Sequence, residues 1–84
     1  MEIEEIENDE WYAITMEHDG KKFYLDQNGA RYDKPSWIKN AFATISGCKA
    51  LFNELKGVLP KDAEYDIVKI EDIFRVSYVI NLEL

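Results

Sequence analysis

The sequence predicts a small α+β domain: a four- or five-stranded antiparallel sheet, built from two hairpins, with one amphipathic helix packed on one face. Three observations predict it. Apolar residues alternate on both sides of Asp19-Gly20, and alternate again through residues 63–82. Between these runs, apolar residues recur at helical spacing up to Gly57 and Pro60. Each hairpin then has one apolar face and the helix one apolar stripe. Laying the helix across a shared sheet buries all three together.

Residues 1–10, MEIEEIENDE, hold six of the seventeen acids, and Ile3 and Ile6 are the apolar side chains after Met1. They read as an acidic arm, either weakly docked or partner-binding, ahead of a single domain over residues 11–84. Residues 11–26 read as the first hairpin. Asp19-Gly20 suits a two-residue primed turn, whose central positions need positive φ. That turn pairs Met16 with Phe23, Ile14 with Leu25, Glu17 with Lys22 and Thr15 with Tyr24. Tyr12, Ile14, Met16, Phe23 and Leu25 then share one face. A slip of one residue would move the whole apolar set to the other side, so the register is well specified.

Residues 27–36 are punctuation, with Asn28-Gly29 a turn and Pro35 a boundary. Two readings compete beyond them. In one, Ser36 caps a long helix with Ile38, Ala41, Phe42, Ile45, Cys48, Leu51, Phe52 and Leu55 on one face. In the other, which we favour, residues 41–45 form a short strand and Ser46 caps a helix running to about Lys56. Ser46-Gly47 is poor inside a helix, where Gly alone costs about 1 kcal/mol against Ala, whereas Ser is a good N-cap. Gly57 stops the helix and Pro60 closes the loop.

Residues 63–82 read as the second hairpin. A loop at Glu71-Asp72 pairs Lys69 with Phe74, Ile67 with Val76, Tyr65 with Tyr78, Val68 with Arg75 and Asp66 with Ser77. Tyr65, Ile67, Phe74, Val76, Tyr78 and Ile80 then face the core. Glu-Asp is poor chemistry for a primed turn, so a longer loop that includes Ile70 and Ile73 competes with this register. The sheet's other face would expose Trp11, Ala13, Tyr24, Val68 and Val79, and an apolar patch of that kind marks a contact surface.

The chain has 84 residues, 46% of them apolar and 13% aromatic, with one cysteine. A domain this small buries only about 60% of its unfolded surface, so aromatics matter to its core. A lone cysteine makes no internal disulfide, and no apolar run approaches a membrane span. An acidic N-terminus is the reverse of a signal peptide. The expected location is the cytoplasm.

Charge is unevenly laid out. Residues 1–20 carry eight acids and no Lys or Arg; residues 21–61 carry eight bases and three acids; residues 62–84 carry six acids and two bases. Acidic ends thus flank a basic middle within a net charge of −7. A field of this kind selects partners while saying little about fold.

Catalytic chemistry finds no foothold. His18, the one histidine, stands between Glu17 and Asp19 beside a turn, where a carboxylate-paired base is conceivable but a solvated residue is the commoner outcome. Cys48 falls on the apolar stripe of the helix and reads as a small hydrophobe rather than a nucleophile. Asp26, Asn28 and Asp33 echo a calcium loop without its flanking helices or terminal Glu. The expectation is no enzyme, no metal and no cofactor. The basic middle interleaves with aromatics (Lys21, Lys22, Phe23, Tyr24, Arg31, Tyr32, Lys34, Trp37, Lys39), as single-strand binding grooves do. Net acidity and scarce Arg disfavour direct nucleic-acid binding. The acidic ends fit the opposite role: carboxylates mimicking phosphate rows against a protein's basic groove, or simply a solvated, solubilising rim.

Three segments, FYLDQNG (Phe23–Gly29), WIKNA (Trp37–Ala41) and SGCKALFNEL (Ser46–Leu55), resemble small, acidic, Lys- and Ile-rich accessory proteins of phages and mobile elements, of the anti-CRISPR inhibitor type. The resemblance covers about half the chain and carries no catalytic residue across. It implies inhibition by binding, without a cofactor, of a host protein or ribonucleoprotein complex in the bacterial cytoplasm.

The leading expectation is therefore a non-catalytic inhibitor. Its partner-binding residues would be Glu2, Glu4, Glu5, Glu7, Asp9, Glu10, Glu17 and Asp19, with Asp62, Glu64, Asp66, Glu71 and Asp72, against a basic surface. Trp11, Tyr24, Tyr32 and Trp37 would be apolar anchors, since aromatics are typical hot spots. The alternatives are a homodimeric structural or regulatory module, joined through a sheet edge or the back face, and a weak single-strand binder.

Overall fold

A computed structural model describes residues 11–36, 40–72 (Asp72 by its backbone) and 75–83. Five strands and one helix make up the described fold: β1 (Trp11–His18), β2 (Lys21–Leu25), β3 (Arg31–Tyr32), α1 (Ile45–Leu55), β4 (Glu64–Asp72) and β5 (Arg75–Leu82). The strands form one antiparallel sheet in the order β3-β2-β1-β4-β5. The arm over residues 1–10, Trp37 and the Ile73-Phe74 pair lie outside the described residues.

The first hairpin has the expected register: Ile14 opposite Leu25, Thr15 opposite Tyr24, Met16 opposite Phe23 and Glu17 opposite Lys22. Asp19 (φ 55°) and Gly20 (φ 81°) supply the two positive φ values that a primed turn requires. β2 ends at Leu25, so Tyr12 has no partner there. Phe42 takes the place, exchanging hydrogen bonds of 2.7 and 2.8 Å with Tyr12.

That bridge is all that forms of the short strand expected over residues 41–45. The helix is capped by neither Ser36 nor Ser46. Thr44 is the N-cap, extended at φ −138° and ψ 157°, and its Oγ1 accepts from the Gly47 N–H at 2.9 Å. A Cβ at Gly47 would stand 3.2 Å from that oxygen, a tight contact that glycine avoids. A residue that looked wrong for a helix interior thus sits in the first turn, beneath the cap. Ile45, Cys48, Leu51, Phe52 and Leu55 turn inward. With Ile14, Met16, Leu25, Tyr65 and Ile67 of the sheet and Leu59 of the following loop, they make the main core. Phe52 and Tyr65 stack at a tilt, centroids 5.3 Å apart, and the buried Tyr65 hydroxyl donates to Pro60 O at 2.6 Å.

The second hairpin departs from expectation. Tyr65 lies opposite Leu82, Asp66 opposite Asn81, Ile67 opposite Ile80, Val68 opposite Tyr78 and Ile70 opposite Val76. β4 runs through Glu71 to Asp72, which pairs with Arg75. Glu71-Asp72 is thus strand rather than loop, and the register moves along β5 by four residues at Tyr65, Asp66 and Ile67 and by three at Val68 and Lys69. Glu-Asp is poor chemistry for a primed turn, and Glu71 lies near Lys69 (3.9 Å) and Arg75 (3.8 Å) at the strand ends. Irregularities at Ile67/Val68 and Ile70/Asp72 break strict alternation. Val79 consequently packs with the main core, Val76 joins the opposite face, and Tyr78 is 65% exposed.

The back face is also different from the open patch expected. Ala13, Val68 and Ile70 are buried to 4% exposure or less, with Trp11, Tyr24 and Val76 half-buried around them. The sheet therefore carries a second, smaller core on the side away from α1. Among the described residues, no helix is long and apolar enough to cross a membrane.

Candidate functional site

Strand pleating sends alternate side chains to opposite faces, so the register fixes what each face presents. On the face away from α1, four rows run across the strands. The first is Lys22–Glu17–Glu64. The second spans all five strands as Tyr32–Tyr24–Thr15–Asp66–Asn81. The third is Ala13–Val68–Tyr78 and the fourth Trp11–Ile70–Val76. The face thus grades from acidic through mixed aromatic and polar to apolar.

Six residues expected to bind a partner meet on this face: Trp11, Glu17, Tyr24, Tyr32, Glu64 and Asp66. Two of them stand directly opposite each other with like charge, Glu17 and Glu64, both exposed. Such a pair is destabilising. Asp66 is held in place: Asn81 Nδ2 donates to its Oδ1 at 3.0 Å and to Tyr65 O at 3.1 Å, and Thr15 Oγ1 reaches Asp66 O at 3.5 Å. Burial pushes the Tyr24 phenol above its ordinary pKa. Asn81 and Thr15 escaped the sequence reading, because only the register makes them neighbours of Asp66.

The other expected residues are scattered. Asp19 is exposed in the first turn. Asp62 is exposed in the loop before β4, and its Oδ1 lies 3.1 Å from His18 Nε2. Glu71 lies at the far end of β4, away from Glu64, and Asp72 contributes its backbone to the pairing with Arg75. Glu2, Glu4, Glu5, Glu7, Asp9, Glu10 and Trp37 fall outside the described residues.

The chemistry-bearing alternatives are occupied structurally. The Asp26 Oδ1 accepts from the backbone N–H groups of Asn28 (2.8 Å) and Ala30 (2.9 Å), and its Oδ2 accepts from the Tyr32 hydroxyl (3.1 Å). Desolvation raises this carboxyl's pKa, and the hydrogen bonds from Ala30, Asn28, Tyr32 and Gly29 outweigh it, leaving it below the ordinary value. Asp26 is thus the organiser of the β2–β3 loop. Burial pushes the Cys48 thiol up to about 12. No group of three or more His, Cys, Asp or Glu side chains suits a metal ion among the described residues.

The basic, aromatic middle does not assemble into one groove. Alternation sends Phe23 to the α1 side, where Arg31 lies 5.7 Å from its ring centre, and Tyr24 and Tyr32 to the other. Lys21 and Lys22 point to opposite sides for the same reason. Comparison with family models, with curated proteins and with solved structures yields no match.

Proposed function

We propose that this chain is a non-catalytic binding protein, an inhibitor that covers a basic nucleic-acid-binding or assembly surface of a host defence complex of the CRISPR type. One observation carries the reading: the sheet face away from α1 unites Glu17, Glu64 and Asp66 with Trp11, Tyr24 and Tyr32. Carboxylates beside half-buried aromatics suit a partner whose Arg and Lys side chains surround an apolar contact. The Glu17–Glu64 opposition supports it too, since a like-charge pair on an exposed sheet, offset in part by Lys22 opposite Glu17, is further relieved when a cation lies across it.

The test is capture of tagged protein's partners from a nuclease-treated lysate bearing active CRISPR systems, followed by competition. The expected partner is a nucleic-acid-binding protein that single-stranded nucleic acid displaces, and that the Glu17→Lys/Glu64→Lys variant no longer holds. Capture that ignores both the competitor and the reversals would overturn the reading.

A further inference from the structure

We draw no further inference here: the strongest candidate, the cavity of about 290 Å³ between the start of β4 and the end of β5 whose lining includes Lys61, Glu64, Asn81 and Glu83, sets one cation against two carboxylates and shares Glu64 with the acidic row already described, so nothing in the structure selects what would fill it.

Discussion

The Asp26 carboxylate gathers two backbone N–H groups and one phenol, so its removal strands donors rather than merely deleting a charge. Asp26→Ala should cost about 1–2 kcal/mol in urea unfolding at neutral pH, as loss of a capping carboxylate does. Its pKa is lowered on folding from the ordinary 3.8. The carboxylate's contribution is therefore complete above that value and disappears as pH falls through the folded-state pKa. Asp26→Asn should flatten this part of the acid limb, while wild type loses stability there; parallel pH profiles for the two would contradict the assignment. Cys48 offers a separate reading of the core. With its thiol fully buried and pushed up to about 12, iodoacetamide should label it only at the rate of unfolding. Labelling of native protein at the rate of a free thiol would show the α1–sheet contact to be open.

At the scale of elements, the helix start separates two serviceable caps two residues apart. Thr44→Ala should cost about 1 kcal/mol, whereas Ser46→Ala, in an exposed first-turn position, should change stability by no more than a few tenths. Thermal unfolding of the pair decides which residue caps. The same contrast explains what the sequence disclosed. The first hairpin was legible to the residue because Asp19-Gly20 carries specific turn chemistry and a slip would expose Ile14 and Met16. Glu71-Asp72 carries none, so nothing local fixed the second register. The irregularity beside Val68, which turns Val79 inward, has no sequence signature of its own. Ser46-Gly47 looked like a boundary because Gly is unfavourable inside a helix, whereas Gly47 sits in the first turn, where its N–H donates to Thr44 Oγ1. Trp11, Tyr24 and the acids of β1 and β4 were legible as types. Their gathering on one face, with Thr15 and Asn81 bracing Asp66, depends on pairing between residues about fifty positions apart.

Across the whole molecule, stability and the proposed binding role pull the Glu17–Glu64 pair in opposite directions, and one substitution separates them. Glu64→Lys turns a like-charge opposition on adjacent strands into an attractive pair and moves the formal charge from −7 to −5, one negative lost and one positive gained. The free protein should become more stable by a few tenths to about 1 kcal/mol, the range for exposed cross-strand charges. The gain should shrink as added salt shortens the Debye length toward the spacing of neighbouring strands. Capture of a basic partner should fall at the same time, most strongly at low salt, where steering is greatest. Urea unfolding and partner capture, each at two salt concentrations, therefore move apart if the carboxylates serve binding. A variant that loses both stability and capture would make Glu64 a structural residue. One that gains stability and binds as before would remove this end of the sheet from the interface and leave the aromatic rows to carry it.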